Sequence, residues 1–237
     1  MKTVFIFDMD GTLTDARRPI DIDFHEFMLD FICKHHCVIV TGSDRPKTLE
    51  QLGLTLTNTF HRTYHCSGNH AFIGAREEYR NTWKMSREHH KFLVDQINTS
   101  NAPEKTGNHI EQRVGSVNFS IVGRNASWDQ RKRFAEWDKI HQERTLAAIT
   151  FNETFDDVVA QVGGETSIDI FPQGHDKSQI LKRYRDSRTI FFGDNCMPDG
   201  NDYSISQECT HAHQIDDGYR QTWNILREQY RLSLIHI

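Results

Sequence analysis

The sequence predicts an α/β protein whose parallel-sheet core is formed by both ends of the chain, with an α+β domain inserted between them. Short apolar segments alternate with helical periodicity near the amino terminus and again near the carboxyl terminus, a rhythm typical of parallel sheets. Between them, polar and apolar residues alternate, which indicates antiparallel strands. We therefore expect a discontinuous core domain over residues 1–75 and 173–237 and an inserted domain over residues 76–172.

The amino-terminal elements are two strands and two helices. Residues 4–7 and 37–40 are short runs rich in β-branched and aromatic side chains, as expected of buried strands. Residues 24–35 carry apolar side chains at helical spacing, which predicts an amphipathic helix. A second helix is expected over residues 46–52, with Gly53 stopping it.

The inserted segment is predicted to combine strands with one long helix. Residues 109–123 are expected to form two strands that turn at residues 114–115. Ser127 and Gln130 form a capping-box pattern, which predicts a helix over residues 127–148. The remaining elements are strands over residues 158–162, 167–171 and 189–192, and helices over residues 176–184 and from residue 218 onward.

The composition excludes several classes of protein. The 237 residues contain 28 Lys and Arg against 33 Asp and Glu, a formal charge of −5, so the chain is not built around nucleic-acid charge. No apolar run approaches the ~18 residues that a membrane span needs, and we recognise no signal peptide. The five cysteines show no CxxC pattern, which favours free thiols in a reducing compartment. We expect a cytoplasmic protein that binds neither nucleic acid nor membranes.

Polar motifs lie at the ends of several predicted strands and at the start of a helix. Ligands of open parallel sheets bind at the carboxyl ends of the strands, so we expect these motifs to converge on one crevice. Their chemistry-bearing side chains are Asp8, Asp10, Ser43, Lys177, Asp194, Asn201 and Asp202.

The residue types in this set restrict the chemistry. Asp8 and Asp194 offer the hard oxygen ligands that Mg²⁺ prefers. A carboxylate can also attack phosphorus, and Asp8 is the candidate nucleophile because it follows a rigid buried strand. Asp10 is then a candidate general acid and base, while Ser43 and Lys177 can hold phosphoryl oxygens. The alternative is that residues 8–12 form a tight turn and the later acids are solvated loop residues.

Fourteen histidines raise the alternative of a different metal site. The adjacent pairs at residues 35–36 and 89–90 do not share one face of a helix. His211 and His213 could share a strand face, but no third ligand is evident in the sequence. We interpret the histidines as structural.

The motif set resembles the haloacid dehalogenase-like hydrolase superfamily over essentially the whole chain. Further motifs resemble the eukaryotic-type phosphomannomutase family, and those in the inserted segment are the more specific. They are TLT at residues 12–14, GSD at 42–44 with EQLG at 50–53, EQR at 111–113, NFSIVGR at 118–124, FPQGHDK at 171–177, and FGD at 192–194 with MPDGND at 197–202. The resemblance implies a Rossmann-like parallel-sheet core of the haloacid dehalogenase type with an inserted α+β cap domain of antiparallel strands and helices.

The resemblance also implies an activity: a Mg²⁺-dependent mutase that interconverts mannose 6-phosphate and mannose 1-phosphate. In that family a hexose 1,6-bisphosphate activates the enzyme, and the protein pairs through its cap as a homodimer. Asp8 would be the phosphorylated nucleophile and Asp10 the acid and base. Mg²⁺ would be held by Asp8, the backbone carbonyl of Asp10 and Asp194, with Asn201 and Asp202 in the metal loop. The residues that would bind the hexose phosphate are Arg17, Arg113, Arg124, Arg131, Ser167 and Asp169.

Arginine suits the distal phosphate that a mutase must hold, because its planar fork pairs with phosphate in bidentate geometry. Arg124 ends a predicted strand and Arg131 lies in the first turn of the next helix, so both can face one anion. Arg113 fits less well. In a simple hairpin it would lie roughly 26 Å from Arg124, which leaves a cap–core or dimer contact as its alternative role.

The sequence departs from the family pattern at several positions. Asp15, Asn195 and Asp199 replace a small apolar residue, a lysine and a glycine, and residues 67–69 read SGN where eukaryotic members typically read ENG. The catalytic carboxylates are intact. A sugar-phosphate phosphatase on the same scaffold is the alternative enzyme, and a binding protein that retains the fold is the non-enzymatic alternative.

Overall fold

A computed structural model of the chain describes residues 1–163, 165–198 and 200–230. The chain divides into two compact units. The first joins Met1–Glu78, Lys177–Met197 and Asp202–Ile237, and the second joins Tyr79–Asp176 and Pro198–Asn201. Asp199, one of the departures from the family pattern, lies outside the described residues.

The first unit is built around a seven-stranded sheet. Its strands are β1 (Lys2–Phe7), β2 (His36–Val40), β3 (Arg62–His65), β4 (His70–Ile73), β5 (Arg76–Arg80), β10 (Ser187–Gly193) and β11 (His211–Gln214). The strand order is β11-β10-β1-β2-β3-β4-β5. The five strands from β11 to β3 are parallel to one another, and β4 pairs with β3 in antiparallel orientation.

Helices cover both faces of this sheet. They are α1 (Ile22–Lys34), α2 (Arg45–Thr59), α6 (Tyr203–Glu208) and α7 (Gly218–Gln229), with a 3₁₀ segment at Lys177–Arg183. Phe5 and Phe7 of β1 pack into an apolar cluster with residues of α1, α2 and α7, whereas Val4 and Ile6 pack into a second cluster on the other face. Burial on both faces explains why the parallel strands are continuously apolar.

The second unit contains a four-stranded antiparallel sheet of order β6-β7-β9-β8. The strands are β6 (Ile110–Arg113), β7 (Ser116–Phe119), β8 (Val158–Gly163) and β9 (Ser167–Pro172), and the helices are α3 (Arg87–Thr99), α4 (Trp128–His141) and α5 (Glu143–Thr154). Phe119 from the sheet and Phe134 and Phe151 from two helices meet in its buried core. The expected class, a parallel-sheet core with a separate antiparallel α+β unit, is confirmed.

Three sequence-based boundaries were wrong. The helix predicted over residues 127–148 is two helices, because Gln142 adopts a left-handed conformation (φ 54°) and the buried Asp138 carboxylate accepts hydrogen bonds from the backbone N–H and Nε of Arg144. The capping box that begins α4 is present. β7 ends at Phe119 rather than near residue 123, and the helix predicted over residues 176–184 is a 3₁₀ segment.

Other elements were interrupted or missed. Gly53 breaks the helical geometry of α2 as expected (φ 75°, ψ 163°), but the chain resumes a helix as far as Thr59. Several further elements were not predicted from the sequence, namely β3, β4, β5, α3, α6 and β11. None of the helices that the structure describes is long and apolar enough to cross a membrane.

Candidate active site

Asp8 lies immediately after β1, where the strand delivers it into the interior of the first unit. Its backbone N–H donates to the carbonyl oxygen of Phe192 at 2.9 Å, which extends the β1–β10 ladder by one residue. Its carboxylate accepts a hydrogen bond from Lys177 Nζ at 2.7 Å. The same ammonium group donates to Asp202 Oδ1 at 2.7 Å. Lys177 and Asp202 are 1% and 0% exposed, so a single buried cation bridges two buried carboxylates.

The charges of this cluster determine its protonation. Burial raises the pKa of Asp8 well above its usual value; Lys177 opposes that shift, while Asp202 and Asp194 reinforce it. Burial and the Asp202 charge also raise the pKa of Asp194, to about 6. The pKa of Lys177 is raised, because its two carboxylate partners outweigh the opposing effect of burial. With its three carboxylates ionised, the cluster carries more negative charge than Lys177 alone can compensate.

A divalent cation fits this cluster. Asp8, Asp194 and Asp202 each offer one carboxylate oxygen, and the three oxygens lie within 4.8 Å of one another. Carboxylate oxygens are the ligands that Mg²⁺ prefers, and a cation there would offset the excess negative charge. Gly11 makes room for this arrangement, since a Cβ at that position would overlap the Asp194 carboxylate.

The predicted metal ligands fall into two groups. Asp8 and Asp194 lie in the carboxylate cluster, and Asp202, expected only in the metal loop, lies there too. The Asp10 side chain makes other contacts, so the ligand role predicted for its backbone carbonyl stays a prediction. Asn201 is half-buried and belongs to the second unit.

Asp10 is surrounded by hydrogen-bond donors. One carboxylate oxygen accepts from the backbone N–H of Arg17 at 2.9 Å and from Gln51 Nε2 at 3.0 Å. The other accepts from Lys47 Nζ at 2.8 Å and from Ser43 Oγ at 3.4 Å. Burial raises the pKa of Asp10, but the hydrogen bond and charge of Lys47 and the other donors outweigh it, so the pKa is lowered. Asp10 is therefore ionised at neutral pH, as a general base must be.

The sequence analysis did not name Lys47, and it included Gln51 only within the EQLG motif, without a role in the site. Both lie on α2, four residues apart, and therefore share one helix face. Asp44 caps this helix by accepting from the backbone N–H of Lys47 at 3.0 Å. The sequence did contain a signal for these two site residues: a lysine and a glutamine at helical spacing, directly after the motif at residues 41–44.

Ser43 contacts the site through its hydroxyl group. Its backbone N–H donates to Thr41 Oγ1 at 3.1 Å, so this N–H could hold a phosphoryl oxygen only after that hydrogen bond is broken. Arg17 reaches the site through its backbone, in a left-handed conformation (φ 60°), and its side chain is exposed.

Arginines gather within the second unit. Arg113 Nη2 lies 2.8 Å from Glu111 Oε2, and Arg124 Nε lies 3.4 Å from the same oxygen. Arg113 also lies 4.0 Å from the carboxylate of Asp169, which accepts a hydrogen bond from Asn118 at 2.7 Å. The ~26 Å separation expected for Arg113 and Arg124 was wrong. The hairpin does turn where predicted, but the chain leaves β7 at Phe119 and folds back, so both guanidinium groups reach one carboxylate.

Arg131 and Ser167 lie beside this group. Arg131 donates from Nη2 to the carbonyl oxygen of Arg124 at 2.8 Å and from Nε to that of Ala126 at 3.1 Å, which ties the start of α4 to the preceding loop. Ser167 Oγ donates to the carbonyl oxygen of Gly163 at 2.8 Å. The second unit thus holds Arg113, Arg124, Arg131, Ser167 and Asp169, the residues predicted for substrate binding apart from Arg17.

The fold is similar to that of haloacid dehalogenase-like hydrolases of known structure. A haloacid dehalogenase-like hydrolase from Bacteroides thetaiotaomicron superposes with a TM-score of 0.56 at 14% identity, covering 89% of this chain and 86% of that one. The chain also matches the model of the eukaryotic phosphomannomutase family over residues 24–231, and it belongs to that family.

Two relatives extend the similarity over nearly the whole chain. A probable phosphomannomutase of Caenorhabditis elegans is 33% identical over 245 residues, which cover 96% of each chain. The phosphomannomutase of Saccharomyces cerevisiae is 32% identical over 244 residues, covering 98% of this chain and 95% of the yeast protein. The resemblance drawn from the sequence motifs is therefore confirmed, and the chain is an enzyme of this family.

Proposed function

We propose that this protein is a Mg²⁺-dependent phosphosugar mutase that interconverts mannose 6-phosphate and mannose 1-phosphate through a phosphorylated Asp8 and a hexose 1,6-bisphosphate. The observation that carries the proposal is the pairing of two carboxylates in different environments. Asp8 is buried against Lys177 and further acids, whereas Asp10 is held ionised by Lys47 and Gln51. Environments that push two carboxyl groups apart in pKa are typical of a division of catalytic labour.

In the proposed first half-reaction, an Asp8 oxygen attacks a phosphorus atom of the hexose bisphosphate. The bond from phosphorus to the sugar oxygen breaks, and that oxygen takes a proton from Asp10, which Asp10 received from an acceptor hydroxyl in the preceding half-reaction. Bound to Asp8, Asp194 and Asp202, Mg²⁺ would supply positive charge that favours ionised Asp8 and offsets the phosphoryl oxygens. Lys177 Nζ, 2.7 Å from Asp8 Oδ1, keeps the nucleophile in a fixed orientation.

In the second half-reaction a hexose monophosphate presents its free hydroxyl group to phosphorylated Asp8, and the hexose bisphosphate is formed again. Asp10 now accepts the proton of that hydroxyl, whose oxygen attacks the phosphorus on Asp8, and the aspartyl ester bond breaks. Lys47 and Gln51 favour the ionised form of Asp10 that this step requires. With water as the acceptor, the same residues would catalyse phosphate-ester hydrolysis.

We assign the distal phosphate and the sugar hydroxyls to the group around Glu111 in the second unit. Arg113 and Arg124 converge on its carboxylate, within 2.8 and 3.4 Å. A phosphate group offers more acceptor oxygens than a carboxylate and pairs with guanidinium groups in bidentate geometry. In this proposal Asp169 accepts a hydrogen bond from a sugar hydroxyl group.

We also infer a homodimer formed through the second unit. Ile140, Leu146 and Ile149 are large apolar side chains exposed on α4 and α5. Exposed apolar groups of this size often mark protein interfaces, and a second copy of the chain is the partner that the family membership favours.

The proposal is tested by incubating the protein with mannose 1-phosphate, Mg²⁺ and a catalytic amount of glucose 1,6-bisphosphate, while mannose 6-phosphate and inorganic phosphate are measured separately. We expect the isomer and little free phosphate. Asp8→Asn should abolish the reaction, whereas Asp15→Asn, an exposed carboxylate close by in sequence, should retain it. A parallel reaction with glucose 1-phosphate compares the two hexoses. Inorganic phosphate without isomer would contradict the mutase proposal and favour the phosphatase.

A further inference from the structure

A cavity of about 270 Å³ opens at the amino ends of the core strands. β1, β2 and β3 contribute Lys2, His36 and Arg62, which are at or next to the first residue of each strand. Asp8 instead follows the carboxyl end of β1. A strand of six residues spans about 20 Å, so this cavity is separate from the candidate active site.

The walls of the cavity are cationic. Lys2, Arg62 and Arg183 line it, and no carboxylate is among the described residues that do. Glu78 is the nearby acid: it pairs with Arg62 at 2.6 Å and lies 3.5 Å from Arg183. One negative charge therefore faces two guanidinium groups, and the lysine adds a third positive charge.

His36 and His61 both line the cavity, and His61 Nδ1 already accepts a hydrogen bond from the backbone N–H of Cys37 at 3.4 Å. The rings of His36 and His61 lie 4.2 Å apart, and the buried Nδ1 of His36 has no hydrogen-bond partner in the described part of the chain. Burial, followed by the charges of His61, Lys2 and Arg62, lowers the pKa of His36 to about 4. Burial and the Lys2 charge also lower the pKa of His61. Burial is thus the main reason that the two rings stay neutral, and the neighbouring positive charges add to it.

We propose that this cavity binds a small phosphate-bearing anion, held by Lys2, Arg62 and Arg183, with His36 and His61 as additional donors. Guanidinium and ammonium groups are the protein's main phosphate ligands. The volume lies just below the range of ordinary small-molecule sites, which suits free phosphate or a small phosphate ester. Tyr184 forms part of the wall and is positioned by the 3.1 Å hydrogen bond between its hydroxyl group and that of Tyr64.

The histidines report occupancy directly, because the active site lies at the other end of the strands. The ring resonances of His36 and His61 are followed by NMR from pH 8 to pH 5, in inorganic phosphate, in glycerol 3-phosphate and in chloride of matched ionic strength. An anion within 4–6 Å raises a histidine pKa by roughly one to three units. We therefore expect a His36 titration midpoint between about pH 5 and 7 when a phosphate ligand is present. In chloride we expect no midpoint within the range from pH 8 to pH 5. Comparing inorganic phosphate with glycerol 3-phosphate shows whether the cavity binds the free phosphate ion or a phosphate ester.

The control is the double variant Lys2→Met/Arg183→Met, which changes two exposed side chains outside the catalytic machinery. It should retain the mutase activity and the circular dichroism spectrum of the parent, and lose the phosphate-dependent shift of His36. The proposal is overturned if the parent shows no shift in either phosphate arm, if chloride reproduces the shift, or if the shift persists in the double variant.

Discussion

Removing the ammonium group of Lys177 should destabilise the fold as well as abolish catalysis. Lys177→Met leaves Asp8 and Asp202 buried without the cation that now donates to each of them at 2.7 Å. Deleting one partner of a buried ion pair costs about 3–5 kcal/mol, because the remaining charge is uncompensated. Since Lys177 bridges two carboxylates that are almost completely buried, we expect a value near the upper end of that range. The measurement is urea unfolding at pH 7.5 in EDTA, so that no metal ion substitutes for the lysine.

The pH dependence of this variant separates an electrostatic loss from a packing loss. Without Lys177 the pKa of Asp8, already raised by burial, should rise further, and the folded state should bind protons that the unfolded state releases. Its stability should therefore increase as the pH falls from 8 to 6, by up to about 1.4 kcal/mol per unit for each carboxylate. Lys47→Met is the matched control, because the Lys47–Asp10 pair is 34% and 29% exposed and should contribute about 1 kcal/mol or less. Equal losses in the two variants, or a loss at Lys177 that does not change with pH, would refute the reasoning.

Three further predictions concern the general base, a buried histidine and the exposed helix surface. Lys47→Met should move the acidic limb of the kcat/KM profile to higher pH by about one unit, since it removes the main contact that lowers the pKa of Asp10. An acidic limb that does not move would show that this limb does not report the ionisation of Asp10. Burial and the Arg45 charge lower the pKa of His65 to about 3, so below pH 6.5 the unfolded chain takes up a proton that the folded state excludes. The free energy of unfolding should fall by about 2 kcal/mol between pH 7.5 and 5 on this account, and His65→Gln should flatten that part of the stability profile in urea unfolding. Leu146→Asp/Ile149→Asp, at side chains that are 58% and 49% exposed, should convert a dimer to a monomer in sedimentation velocity, whereas Thr150→Asp on the same helix should not; a dimer that survives the double change would place the interface elsewhere.

The elements most accurately predicted from sequence were those with one dominant local signal. The continuous apolar runs of β1 and β2 can only be buried, so both strands form as expected. The Ser127–Gln130 capping box marks the start of α4 because both hydrogen bonds are local. The end of that helix was mispredicted because the contact that organises the break, between Asp138 and Arg144, depends on side-chain burial that no periodicity reports.

The candidate site can likewise be divided into features that the sequence predicted and features that depend on tertiary contacts. Asp8, Asp10, Lys177 and Asp194 could be named from the sequence because each residue type in its motif restricts the chemistry. Their protonation could not be predicted. Lys177 is 169 residues from Asp8 in the chain yet bonded to its carboxylate, and Lys47 reaches Asp10 across 37 positions.

The sequence by itself determined the fold class, the family and the candidate catalytic carboxylates, since periodicity and motif spacing are local properties of the chain. The tertiary structure decided which charges meet: that Asp202 joins Asp8 and Asp194, that Arg113 and Arg124 share Glu111, and that Lys2, Arg62 and Arg183 surround a cavity. The physical reason is that burial and electrostatic energy depend on distances through space, and those distances are set by how the strands and loops pack.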